Sequence, residues 1–136
     1  MKVLFKEIQI QTNERTEIID ITGKVEDIIN RSEITNGLCV IHTVHSTAAI
    51  IINEHEKGLK KDIVRKIRED FPKDAGWLHN EVDDNADAHL ASTYIGPTKI
   101  FPIQRGKIIR GPWQNIFLLE LDGPRTRRVM VEIIGE

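Results

Sequence analysis

The feature that most constrains the fold of this chain is a long apolar segment that covers residues 38–54 and reads LCVIHTVHSTAAIIINE. Its β-branched residues fit the pleated surface of a sheet, and the segment is too regular for a loop. A short polar stretch, His45-Ser46-Thr47, interrupts it. The segment therefore predicts one or two buried strands. The polar interruption between them contains candidate functional residues.

Other segments predict a mixture of strands and helices. Apolar and polar residues alternate through residues 3–11, which is the period of a half-buried strand, and shorter strands are predicted at 17–19 and 116–121 and through 129–133. Helical spacing predicts a helix at 22–31 and another from 59 to 71, where Pro72 ends the pattern. These patterns predict several strands and two or three helices, folded as a single domain over residues 1–136.

Composition narrows the class of protein. The chain has 40% hydrophobic and 29% charged residues, and no apolar run approaches the roughly 20 residues of a membrane span. The N-terminal residues alternate with charges, so we expect no secretion signal and a cytoplasmic location. The single cysteine, Cys39, stands in a strand-like apolar setting and is interpreted as a buried structural thiol.

The charge balance bears on partners. A net charge of -2 argues against a general nucleic-acid or membrane binder, because such proteins carry basic surfaces. From Pro97 to the end, however, seven Lys and Arg face four acids. A small phosphorylated ligand would suit that end, and a solvated strand face with scattered arginines explains the charges equally well.

Three histidines in polar surroundings, His45, His79 and His89, are the candidate metal ligands, because imidazole is the commonest protein ligand of zinc-like ions. Strand alternation puts His42 on the face opposite His45, so His42 is interpreted as a core or interface residue. Asp84 or Asn85 can cap a short helix that carries His89.

Other polar residues have two interpretations each. Glu54 ends the apolar segment and is either a general base beside the His45 stretch or a strand-end carboxylate in water. Trp113 either stacks on a ligand or, by default, fills the core. Arg125 follows a tight turn and can grip a phosphate or pair with Asp122.

Several short motifs together resemble the YjbQ-like family, described as secondary thiamine-phosphate synthases. They occur in the expected order over nearly the whole chain: His45-Ser46-Thr47-Ala48-Ala49, Asn53-Glu54, Asp84-Asn85 with Ala88-His89, Gly96, Pro102, Gly111 with Trp113-Gln114, and Glu120 with Asp122-Gly123-Pro124-Arg125. The chain departs from the family pattern at Ser46 and at Pro112.

The resemblance implies an α+β fold, with a strongly curved mixed sheet and two or three helices outside, assembled as a homotrimer. It implies a divalent metal on His45, His79 and His89, usually zinc, with magnesium as the choice for a diphosphate substrate. The implied reaction joins a hydroxymethylpyrimidine diphosphate to a thiazole phosphate and releases pyrophosphate. In that reaction Arg125 and the metal would neutralise the leaving group, and the substrate would contact Ser46, Thr47, Asn53, Asn85, Trp113 and Gln114.

Two alternatives stay open from the sequence. One is a metal-dependent hydrolase of a small phosphorylated or acylated metabolite with Glu54 as base and His45 in its metal shell. The other is a trimeric protein that binds a metabolite or metal without catalysis. We expect no nucleic-acid and no membrane partner for any of them.

Overall fold

Two antiparallel sheets form the framework of the protein in a computed structural model that describes all residues, 1–136. The strands are β1 Lys2–Gln11, β2 Glu17–Asp20, β3 Gly37–Thr43, β4 Ala48–Asn53, β5 Thr98–Gln104, β6 Lys107–Ile108, β7 Asn115–Glu120 and β8 Thr126–Gly135. The helices are α1 Thr22–Ser32, α2 Lys57–Asp70 and α3 Ala86–Ile95, and a one-turn 3-10 helix covers Leu78–Glu81. The predicted α+β class is confirmed.

The larger sheet has five strands in the order β1-β8-β3-β5-β6 and is strongly curled, whereas the smaller has the order β2-β7-β4. Every pairing in both sheets is antiparallel. The expectation of a mixed sheet is therefore wrong in this detail, because both sheets are purely antiparallel. Strand direction depends on which distant segments pair, and apolar periodicity does not report that.

The main core lies between the inner faces of the two sheets, and α1 contributes Val25 and Ile29 to it. Burial follows the predicted alternation: Ile8 and Ile10 of β1 are buried, whereas the neighbouring Gln9 is exposed. The sheets contribute buried Ile, Val, Leu, Phe and Cys side chains, among them Ile41, Ile50, Ile116, Leu118, Val131 and Ile133.

A smaller apolar cluster covers the outer face of the three-stranded sheet. Ala88 and Ala91 of α3 pack there against Ala49, Leu119 and Leu121. The longer helix α2 lies beside them, but none of its residues is buried. The small sheet is thus held firmly by α3 and only loosely by α2.

Two sequence predictions about single features can be compared directly with the structure. Cys39 is fully buried, as predicted, and its burial raises the pKa of the thiol to about 12, which disfavours the thiolate. None of the three helices has both the length and the apolar character that crossing a bilayer requires.

Candidate functional site

A polar cleft of about 520 Å³ opens at one end of the small sheet. This is the end where β4 begins and β7 finishes, because Ala48 pairs with Glu120. Three loops meet there, and each contains one of the sequence motifs described above. The cleft is lined by Val44, His45, Ser46, Thr47, Asp83, Asn85, His89, Arg125, Thr126 and Arg127.

Helix α3 brings His89 to the cleft. Small buried side chains on one face of α3 allow a close approach to the small sheet, and Ser92 Oγ donates to the carbonyl of Ala48 at 2.8 Å. Arg15 fixes the first turn of the helix from another loop, since its two terminal nitrogens donate to the two carboxylate oxygens of Asp87, each at 3.0 Å. That bidentate bond is the largest cause of the raised pKa of Arg15.

Asn85 occupies the N-cap position of α3, but its side chain does not cap the helix. Its Nδ2 donates to Asp122 Oδ2 at 2.8 Å, and its Oδ1 accepts from His79 Nε2 at 3.1 Å. The predicted capping role is therefore wrong for Asn85. The amide is used instead to join the α3 segment to the loop after β7.

Beneath the cleft lies a buried ion pair between Glu120 and Arg127. Arg127 also donates from Nη2 to the carbonyl and the hydroxyl of Thr47, at 3.1 and 2.9 Å. The carboxylate accepts from the backbone amides of Leu121 and Asp122, both at 3.0 Å. The pair therefore fixes two of the loops that line the cleft.

Burial and hydrogen bonding have opposite effects on the pKa of Glu120. Removal from water would raise the pKa of the carboxyl, but the hydrogen bonds from Arg127, the Asp122 amide and Thr12 outweigh it, so the pKa lies below its ordinary value. The same Thr12 hydroxyl donates to Glu120 at 2.8 Å and accepts from the Arg125 amide at 2.8 Å. The network thus extends to the loop between β1 and β2, which contains Thr12.

Gly123 is needed for this loop to lie where it does. A Cβ atom at this position would stand 2.3 Å from the carbonyl oxygen of Glu14 and 2.8 Å from Thr12 Oγ1. Both neighbours belong to the loop between β1 and β2. The Asp122-Gly123-Pro124-Arg125 turn therefore requires glycine for close backbone approach.

His45 is held in one tautomer. The backbone amide of Arg128 donates to its Nε2 at 2.9 Å, so the neutral ring carries its proton on Nδ1. Burial, followed by the charges of Arg127 and Arg128, lowers the pKa of His45. At neutral pH the ring is an uncharged hydrogen-bond donor.

Several groups at the cleft have no partner within the chain. The His89 ring and the Ser46 hydroxyl make no hydrogen bond to protein, and His45 Nδ1 and Arg125 Nη1 are also unused. Of the two roles predicted for Arg125, pairing with Asp122 is seen: Nη2 donates to Oδ2 and Nε donates to the backbone carbonyl, each at 2.8 Å. These groups can donate hydrogen bonds, which suits an anionic ligand, and the Asp83 carboxylate is the one acidic group that lines the same cleft.

The predicted metal ligands lie near one another but do not form a ligand set as they stand. The His79 and His89 rings contact edge to face with centroids 4.7 Å apart, and His45 lines the same cleft as His89. However, the Nε2 lone pair of His45 is taken by the Arg128 amide, and Nε2 of His79 donates to Asn85. No group of three or more His, Cys, Asp and Glu side chains is arranged to hold an ion.

The remaining predicted site residues lie at the other end of the small sheet. Asn53 pairs with Asn115, so Glu54 and Gln114 flank the end opposite His45. A strand of this length spans about 17 Å. The expectation that Glu54 stands beside His45 is therefore wrong within one chain, because β4 carries the two residues to opposite ends.

Trp113 does not lie in the core, where the sequence predicts it by default. It is 68% exposed and does not fill the core. The turn before β7 holds it outside the sheet, since the Gln114 amide donates to the Gly111 carbonyl at 3.1 Å and the Gly111 amide donates to Gln114 Oε1 at 2.8 Å. Neither Trp113 nor Gln114 reaches the cleft.

Sequence reasoning missed the buried pair. In the sequence Glu120 belongs to a motif and Arg127 is one of the seven basic residues after Pro97, but no pattern predicts a contact for either. The available signal was a charged residue at an inward position of each strand. Glu120 ends the apolar run of β7, and Arg127 shares the register of the buried Val129 and Val131.

Known proteins resemble the chain over its whole length. A UPF0047 protein of Methanothermobacter thermautotrophicus is 41% identical over 136 residues, which cover 100% of this chain and 95% of that protein. UPF0047 protein YugU of Bacillus subtilis is 37% identical over 97% of this chain and 100% of its own length.

Solved structures agree with these sequence comparisons. The crystal structure of a YbjQ-like protein of unknown function from Sulfolobus solfataricus has a TM-score of 0.98 at 52% identity, with 99% of both chains covered. A hypothetical protein from Aeropyrum pernix has a TM-score of 0.95 at 41% identity, covering 98% of this chain and 99% of its own. The family described as UPF0047 protein YjbQ-like matches residues 6–136, and the chain belongs to this family.

Proposed function

We propose that this chain is an enzyme of small phosphorylated metabolites and that its reaction takes place in the cleft of His45, His89 and Arg125. The observation that carries the proposal is the division of the polar groups there. Glu120, Arg127 and Asn85 fix the loops, whereas His45, His89 and Arg125 keep hydrogen-bond donors without partners on three separate segments. Such preorganised donors stabilise negative charge as it develops.

The thiamine-phosphate synthase reaction is the first activity to test, because negative charge develops on a leaving diphosphate. The thiazole nitrogen attacks the methylene carbon of the pyrimidine, the carbon–oxygen bond breaks, and pyrophosphate leaves with the electron pair. Arg125 Nη1, His89 and the His45 Nδ1–H are placed to receive phosphate oxygens, and the Ser46 hydroxyl adds a fourth donor. Thr47 and Asn85 support the loops that present them.

The alternative of a hydrolase with Glu54 as base receives no support from this geometry, since Glu54 lies beyond the far end of β4. His45 as placed has no free lone pair to offer a metal, because its Nε2 accepts from the Arg128 amide. Zinc, or magnesium for a diphosphate substrate, stays a prediction of the family resemblance. Elemental analysis of the purified chain beside a His45→Ala variant tests it.

The homotrimer also remains a prediction, and the outer face of the larger sheet supports self-association. Val3 and Leu38 face outward in one row across the strands, and Phe5 and Ile100 do so in the next. All four side chains are exposed, and no helix covers them. Light scattering during gel filtration measures the assembly directly, and we place the assembled enzyme in the cytoplasm.

The test of the activity uses the full chain with both purified precursors. We expect thiamine phosphate and pyrophosphate in equal amounts, and a fall of about 100-fold in turnover for His89→Ala or Arg125→Ala. Trp113→Ala is the control at the far end and should keep turnover near that of the unmodified chain. The absence of product with and without added zinc or magnesium would reject the synthase reaction.

A further inference from the structure

A second cavity, separate from the cleft, lies between β2 and helix α2. This groove has a volume of about 530 Å³, which is in the range of small-molecule sites, and only two of its ten lining residues are hydrophobic. Five of the others are cationic and come from one helix: Lys57, Lys60, Lys61, Arg65 and Arg68.

The cations form one stripe because their spacing of three and four residues repeats along a helix face. The stripe runs for about 17 Å from the first to the last of them at the rise of an α-helix. Lys57, Lys60, Lys61 and Arg68 have no ion pair and no hydrogen bond, and only Arg65 has a carboxylate partner, Glu69 at 3.5 Å. Like charges held this close repel one another, and an anion would relieve that repulsion.

The opposite wall does not neutralise the stripe. It carries Glu14 and Glu17, and Glu17 Oε1 is directed to its own loop, where it accepts from the amides of Asn13 and Glu14 at 2.8 and 3.1 Å. The lining thus keeps an excess of three positive charges, five cations against two carboxylates. In the cleft, by contrast, Arg125 and Arg127 each have a carboxylate partner.

We propose that this groove binds a small ligand that carries several phosphates, through Lys57, Lys60, Lys61 and Arg68. The inference does not depend on the activity proposed for the cleft. A nucleic acid fits less well, because acids such as Asp62, Glu69 and Asp70 lie on the same helix and limit the basic surface to the groove.

The proposal is tested by titration calorimetry of the full chain with inorganic tripolyphosphate. We expect saturable binding that weakens as salt is raised, and a loss of about tenfold or more in affinity for the double variant Lys60→Gln/Lys61→Gln. Because α2 has no buried residue, this variant should fold normally, which circular dichroism checks.

A matched control locates the ligand. Lys66→Gln removes a lysine from the same helix that pairs with Asp70 at 3.1 Å and lines a different groove, so affinity should not change. The proposal is overturned by the absence of binding, by equal affinity in the double variant, by an equal loss in Lys66→Gln, or by tighter binding of a single-stranded RNA than of tripolyphosphate.

Discussion

The two ends of the small sheet carry equally polar sequences but are built differently. At the end with His45, two fully buried charges, Glu120 and Arg127, are paired and bonded to three loops. At the end with Glu54 there is no buried ion pair. Asn53 Oδ1 accepts from the adjoining Glu54 amide at 2.8 Å, and the side-chain contact to a more distant segment, between Asn115 Nδ2 and Thr22 Oγ1, is longer at 3.4 Å.

This difference shows which polar residues determine a site. Buried polar groups that hold separate segments in place leave the remaining donors preorganised, whereas local bonds in exposed turns fix only the turn. The comparison therefore supports the proposal of a site at the His45 end. Making the same kind of change at each end tests this comparison.

The largest expected effect is that of Glu120→Gln. It leaves the Arg127 charge buried without a partner charge, and loss of one member of a buried ion pair typically costs about 3–5 kcal/mol in free energy of unfolding. The matched change, Glu54→Gln at the other end, should stay within about 0.5 kcal/mol because the Glu54 carboxylate makes no hydrogen bond or ion pair. Urea denaturation of both variants measures the difference in free energy of unfolding, and equal losses would contradict the comparison.

Gly123→Ala should destabilise the chain by about 1–3 kcal/mol, because the new Cβ collides with backbone that cannot move alone. Its closest neighbour would be the Glu14 carbonyl oxygen at 2.3 Å. Gly23→Ala in α1 is the control, since a Cβ there meets nothing within 4 Å, and we expect it to stabilise the protein by about 0.5–1 kcal/mol. Thermal unfolding of the two variants should move the midpoint in opposite directions.

Asn85→Ala should cost about 1–2 kcal/mol, because it removes the bridge between His79 and Asp122. Gln114→Ala at the far end removes one exposed bond to the Gly111 amide and should cost less than about 0.5 kcal/mol. Denaturant midpoints compare the two. A larger loss for Gln114→Ala would reverse the assignment of the ordered end.

The smallest expected effect is a dependence of stability on pH. The pKa of His45 is lowered from its ordinary 6.5, so the unfolded chain binds more protons than the folded chain just below that value. Its contribution is therefore complete above pH 6.5 and declines as the pH falls. Glu120, whose pKa is lowered from 4.5, loses its contribution only at more acidic pH.

The matched variants for this effect are His45→Gln and His55→Gln. Stability measured from pH 7 to pH 5 should depend less on pH in His45→Gln, because the titrating ring is gone. His55, which contacts Phe117 at the far end, has no such role in the cleft. An unchanged slope in His45→Gln would contradict the cause given for the pKa of His45.

The sequence predicted the local elements well, because period and breakers are local properties. The helix predicted at 22–31 is Thr22–Ser32, the helix ended by Pro72 is Lys57–Asp70, and the interruption at His45 separates β3 from β4. The prediction that Glu54 lies beside His45 is wrong, because nearness in sequence does not give nearness in space. A six-residue strand between them decides otherwise.

Residues that act through long-range pairing could not be assigned from one sequence. Glu120 meets Thr12, which is 108 residues away along the chain, and Arg127 meets Thr47 across 80 residues. No short-range pattern contains those distances. By contrast, the motifs at His45, His89 and Arg125 identified the cleft, since the loops that end neighbouring strands gather at one edge of a sheet.

The central claim is that the cleft binds the phosphorylated substrate and that the far end of the small sheet does not. Amide chemical-shift mapping tests it most directly, with the isotope-labelled chain titrated with the thiazole phosphate. The account predicts saturable shifts at Thr47, His89 and Arg125 and none at Glu54 or Trp113. Shifts that gather at Glu54 and Trp113 and spare the cleft would contradict it.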